Sequence, residues 1–199
     1  MYLQSLVAIF CLLMGSYPQE TDEATTTDPL PEEDPNNFQD QDATQVVKLT
    51  GKYWVTTRTH KVSTPFGDPK CEYAQIVGPA DGVGEETYTL ELGASVGPIS
   101  KRKNLTLVLK TSGSHRQPNV MEFQRNSVDG PQEHKLLYSN YGDCAIVRIK
   151  KKDDTGLYCD LLQLGSTAGS DPPSLCKEKF EDYCKGEKYE PYSADCETK

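Results

Sequence analysis

The chain has 199 residues, a formal net charge of −9 and seven cysteines. All of that charge lies between Tyr17 and Asp42, which hold nine acids and no Lys or Arg; from Ala43 onward 21 acids balance 21 bases. A near-neutral body of this kind excludes a nucleic-acid-binding role, and its length sets one domain rather than several.

Residues 1–16 read as a secretory signal peptide. Val7 to Met14 form a short apolar core, and Gly15 and Ser16 are small residues at a plausible cleavage point. The run is shorter than the roughly 20 residues that span a bilayer. No other segment is apolar enough, so no membrane partner is expected. Cys11 leaves with the signal. Cys71, Cys144, Cys159, Cys176, Cys184 and Cys196 then remain for an oxidising compartment, where disulfides are the default. No Cys-x-x-Cys pair is present and no His stands near a cysteine, so no metal site and no cofactor are expected.

Residues 17–36 are rich in Thr, Glu, Asp and Pro and read as a disordered acidic tail, either a spacer or a glycosylated or partner-binding segment. A short helix is expected over 37–49. Eight strands follow, at 53–60, 71–77, 87–94, 104–110, 120–125, 135–138, 143–150 and 156–164, divided by turn residues such as Thr64-Pro65-Phe66-Gly67 and Gly78-Pro79. With no helices interleaved, they predict an all-β, antiparallel barrel or sandwich over residues 37–199. A helix opening near Ser174 closes the pattern, with Cys176, Phe180 and Cys184 on one face.

Strand alternation sets directions. The sequon Asn104-Leu105-Thr106 offers an N-glycan that must face solvent, which turns Leu105, Leu107 and Leu109 inward. Arg148 and Lys150 outward put Ala145, Val147 and Ile149 inside and Cys144 outside. Cys159 outward puts Tyr158, Asp160 and Leu162 inside. Two outward cysteines thus face two cysteines on one helix. The expected bridges are Cys144–Cys176 and Cys159–Cys184, with the swapped pairing as the rival, leaving Cys71–Cys196 to clamp the C-terminus.

Several segments in this order resemble the salivary lipocalins of ticks, the histamine-binding protein family. They are Lys52-Tyr53-Trp54-Val55, Cys71, Asn104-Leu105-Thr106, Tyr141-Gly142-Asp143-Cys144, Tyr158-Cys159-Asp160-Leu161 and Pro173-Ser174-Leu175-Cys176 with Phe180. The lipocalin Gly-x-Trp is imperfect here, being Gly51-Lys52-Tyr53-Trp54. The resemblance implies an eight-stranded barrel with an outer helix and a ligand cavity. It also implies the bridges Cys71–Cys196 and Cys144–Cys176, and a role in saliva: holding host mediators such as histamine, serotonin or leukotrienes without turning them over. Some members bind complement or other proteins.

The family's amine binders resemble a pattern of Cys-Asp/Glu-aliphatic on one strand and Glu-Leu-Trp/Tyr on the next. Here the first reads Cys144-Ala145-Ile146 and the second Asp160-Leu161-Leu162, so one acid survives and the aromatic is gone. The expected ligand-contacting residues are Asp160, Ala145, Val147, Ile149, Tyr158, Leu162 and Trp54. The ligand expected is a biogenic amine or a lipid mediator. The alternative is a host-protein binder that uses its loops or acidic tail. Trp54, Tyr53, Tyr88, Phe123 and Tyr138 also suit a core, and Glu91 and Glu122 could face either way. No catalytic motif is present, since His60, His115 and His134 are scattered over strand ends and loops; no enzyme activity is expected, and a monomer is.

Overall fold

The computed structural model describes residues 29–80, 84, 86–125, 130–150 and 156–198. The expected signal peptide and residues 17–28 of the acidic tail lie outside them. Eight strands form a closed antiparallel barrel, each bonded to its neighbour in sequence and the last to the first. They are β1 (Tyr53–Arg58), β2 (Lys70–Pro79), β3 (Thr87–Val96), β4 (Ile99–Lys110), β5 (Val120–Phe123), β6 (Gln132–Ser139), β7 (Cys144–Ile149) and β8 (Tyr158–Leu164). The fold is that of a lipocalin. Closure removes sheet edges and turns one face of every strand into an enclosed interior.

The expected helix over 37–49 is broken in two. A 3-10 turn spans Pro35–Asp40, and α1 (Ala43–Val46) follows it. Asp34 and Asp42 each accept a backbone N–H two residues on, so each restarts the chain with its own cap. This unit closes one end of the barrel. The Ala43 N–H donates to Pro118 O, and the Tyr141 hydroxyl donates to Gln39 O. At the other end of the molecule's sequence, α2 (Ser174–Tyr183) packs outside β6 and β7.

Ordered packing starts earlier than position 36. Glu32 is 2% exposed, and its carboxylate meets Arg148 Nε at 3.0 Å. Lys135 pairs with Glu33 at 2.7 Å. Residues 30–34 are thus a strap on the barrel, because Arg148 points out of it yet is covered rather than solvated.

Three apolar clusters result. Leu90, Leu107, Leu136, Val147 and their neighbours fill the barrel interior. Leu137, Ile146, Leu161 and Phe180 form a second layer between the outer barrel face and α2. The bridges Cys144–Cys176 and Cys159–Cys184 cross that layer, with Cα–Cα separations of 6.6 and 5.8 Å. Trp54, Ala168 and the Cys71–Cys196 bridge form the third.

β1 and β2 pair over two residues only, Tyr53 with Ala74 and Trp54 with Tyr73. Beyond them the C-terminal segment enters the gap. Arg58 and Tyr189 exchange both backbone hydrogen bonds, and the Cys71 N–H donates to Pro191 O. Cys71–Cys196 pins this wedge.

Candidate functional site: a cavity inside the barrel

The barrel interior holds a cavity of about 540 Å³. This falls within the range typical of small-molecule sites, roughly 300–1,000 Å³. Its walls are apolar because alternate residues of each strand turn inward: Leu90 and Leu92 from β3, Leu107 from β4, Met121 from β5, and Ala145 and Val147 from β7. Val46 and Val47 supply the floor at the α1 end.

Polar groups enter from one side. Arg58 ends β1 and reaches across the poorly paired seam to Glu72. Its Nη1 donates to Glu72 Oε1 at 2.9 Å, and Nη2 lies 2.9 Å from Oε2. Asp160 is the Cα partner of Arg58 across β1–β8, and its Oδ1 stands 3.8 Å from Arg58 Nε. His60 Nδ1 is 3.7 Å from the same oxygen. Burial opposes the charge of Arg58, but the two carboxylates outweigh it and raise the guanidinium pKa above its ordinary value. Glu72 and Asp160 both line the cavity. One guanidinium therefore faces two carboxylates there.

His134 also lines the cavity, with its ring stacked on Phe123 at 4.1 Å between centroids. Burial, helped by the Arg125 charge, pushes its pKa down to about 3, so it is a neutral imidazole. At the end away from α1 the lining becomes basic. Lys103 pairs with Leu92 and Lys101 with Ala94, so both share the inward face, and Arg125 lies beside them. Lys103 Nζ donates to Arg125 O at 3.3 Å.

Among the residues expected to contact ligand, Asp160, Ala145, Val147 and Leu162 line the cavity. Ile149 and Tyr158 do not. Ile149 is buried in the interior core, and Tyr158 packs on that core with its ring 5.4 Å from His60. Trp54 is outside the cavity altogether. Tyr53 and Val55 are cavity residues, so the strand pleat turns Trp54 outward, against Tyr73 and Tyr192. Phe123 and Tyr53 do line it. Tyr88 packs on the interior core, and Tyr138 lies in the layer under α2. Glu91 accepts the Tyr73 hydroxyl at 2.7 Å, and burial with that bond raises the Tyr73 pKa to about 12. Glu122 pairs with Lys110 at 2.7 Å. Asn104 is exposed on β4.

Sequence reasoning passed over Arg58, Glu72 and His134. Arg58 sits at the end of an apolar, β-branched run, where a base reads as a solvated strand end. Glu72 directly follows Cys71, whose φ of 52° breaks the simple alternation at that point. Among the described residues no group of three or more His, Cys, Asp or Glu is arranged to hold a metal.

A sequence-family profile described as tick histamine binding protein matches residues 31–198. No curated protein sequence matches the chain significantly. Solved structures do. AM182 in complex with serotonin is 16% identical with a TM-score of 0.56, over 77% of this chain and 91% of that one. Japanin from Rhipicephalus appendiculatus, bound to cholesterol, is 10% identical with a TM-score of 0.55, over 74% and 96%. Insecticyanin from the tobacco hornworm Manduca sexta is 11% identical with a TM-score of 0.57, over 79% and 84%. At these identities the likeness shows the barrel fold, while the profile spans nearly the whole described chain: the protein belongs to the tick histamine-binding protein family.

Proposed function

We propose that this protein is secreted in saliva and sequesters an apolar or amphipathic small molecule, a lipid mediator of acyl or sterol type, and so withdraws a signal from host defence. The observation that carries this is the cavity wall. Ala145 stands where the amine binders carry an acid, Leu162 stands where they carry an aromatic ring, and the surviving acid, Asp160, already faces Arg58. An amine needs an uncommitted carboxylate to offset its desolvation. A cavity this large, with walls this apolar, suits a chain or a fused ring better than a single small cation. The cholesterol held by japanin is consistent with such a ligand.

A second reading has its own support. Glu72 and Asp160 together outnumber Arg58, and an aminoalkyl ligand would balance them; AM182 holds serotonin in the same type of barrel.

Native mass spectrometry of the secreted protein with histamine, serotonin, a leukotriene, arachidonate and cholesterol together separates the readings. A retained lipid is the expected result. Asp160→Asn should leave lipid affinity unchanged; loss of about 1–3 kcal/mol of amine affinity would establish the amine site instead. An empty protein that instead captures a plasma protein such as a complement component would replace both readings with the host-protein one. Two processing steps belong to this proposal: removal of residues 1–16 and an N-glycan on Asn104. Both are checked by the intact mass before and after enzymatic deglycosylation.

A further inference from the structure

One end of the barrel carries an unusual combination of exposed side chains. The turns β1–β2, β3–β4 and the start of β8 all lie there, because Arg58 pairs with Asp160 and Lys70 with Ser95. Phe66, at the tip of the Thr64–Gly67 turn, is 85% exposed. Ile99, opening β4, is 57% exposed, and Leu157, just before β8, is 45% exposed. The turns that carry the first two are neighbours: a Cβ on Gly67 would sit 3.8 Å from Val96 Cγ1 in the β3–β4 hairpin. That hairpin projects past the sheet. β4 pairs with β5 only from Leu107 to Lys110, so among the described residues its stretch from Ile99 to Thr106 has no strand pairing on the β5 side, where Lys103 alone reaches Arg125 O through its side chain.

The same rim is basic. Lys61, Lys70, Lys101, Arg102, Lys103 and Arg125 are all exposed there. Asp68, on the same loop as Phe66, accepts from Ser63, and Glu187 and Glu190 lie beyond it on the C-terminal wedge. Lysines on a projecting edge strand guard against strand pairing between molecules. That role does not require a Phe and an Ile held in water at two adjacent tips.

We infer that this rim is a peripheral docking surface for anionic lipid bilayers. The bases sit over the headgroups, the Phe66 and Ile99 tips insert among them, and the apolar cavity opens toward the bilayer. The absence of a spanning segment, which excluded a membrane from the sequence reading, does not bear on contact of this kind. Apolar tips and a basic collar are the two terms that interfacial binding combines. The ligand would pass between membrane and cavity without crossing water, but docking itself does not depend on which ligand the cavity holds.

The test is co-sedimentation of the oxidised, signal-free protein with vesicles of phosphatidylcholine alone and of phosphatidylcholine mixed with phosphatidylserine. Binding is expected with the anionic vesicles only, weakening as salt is added. Phe66→Ser with Ile99→Ser should abolish it. Lys101→Glu with Lys103→Glu should lower it by roughly fivefold or more for each base lost. Thermal unfolding and Trp54 fluorescence, which report a region packed against the C-terminal wedge, should match wild type in every variant. Equal binding to both vesicle types, or none to either, overturns the inference. So does undiminished binding by the Phe66/Ile99 variant together with loss in the lysine variant, since charge alone would then bind any soluble polyanion.

Discussion

Arg58 faces two carboxylates that line the cavity, Glu72 and Asp160. Its side chain is 3% exposed, and those of Glu72 and Asp160 are 11% and 6%. Arg58→Met keeps the length and apolar stem but removes the guanidinium that both acids face. It should destabilise the fold by about 3–5 kcal/mol, read from urea unfolding at neutral pH. His134 makes the opposite kind of demand. Its folded pKa of about 3 lies below the ordinary 6.5, so the unfolded chain takes up a proton that the native one refuses. Its contribution is complete above pH 6.5 and is lost as pH falls toward 3, at up to about 1.4 kcal/mol per pH unit. His134→Gln should flatten that slope in unfolding curves taken between about pH 7 and about pH 4. Neither residue was legible as a site component. Asp160, Ala145, Val147 and Leu162 were, because the bases Arg148 and Lys150 set the faces of β7 and Cys159 set those of β8. β1 and β2 had no comparable marker: β1 shifts register between Val55 and Thr57, and β2 opens at the positive φ of Cys71. The side chains around those irregularities therefore could not be assigned to a face.

Among the elements, α2 depends on its bridges more than on its own sequence. Only Cys176 and Phe180 are buried on it, and Pro173 offers no side-chain cap. Its apolar stripe would not hold ten residues helical in isolation. Replacing Cys159 and Cys184 together with serine opens a 25-residue loop and should cost about 2–4 kcal/mol. Cys144–Cys176 should still keep the first turn of α2 docked, so amide exchange is expected to rise at its C-terminal end first. The eight strands were visible in the sequence because aromatic and β-branched runs alternate with turn residues. Their ends were less so. β4 begins at Ile99, not near Asn104, because Ser100 to Lys103 pair with β3 although their polar side chains give no apolar alternation.

At the scale of the whole molecule, the first and last described segments are both structural parts of the barrel. The N-terminal strap supplies Glu32 to the covered Arg148, whose own pKa is lowered by burial and only partly restored by that carboxylate. Deleting residues 17–35 removes Glu32 and should destabilise by about 3 kcal/mol in urea unfolding, so a loss of activity in that deletion says nothing about an acidic tail. The C-terminal wedge has a consequence of a different sort, in the order of biosynthesis. The gap between β1 and β2 is filled by Tyr189 and Pro191 and locked through Cys196, 125 residues after Cys71. A ribosome-bound chain therefore cannot complete its first hairpin until the segment from Tyr189 to Cys196 has been made. Closure waits for translation to pass Cys196 and for an oxidant to reach Cys71, which ties assembly of the cavity to oxidation of a pair 125 residues apart.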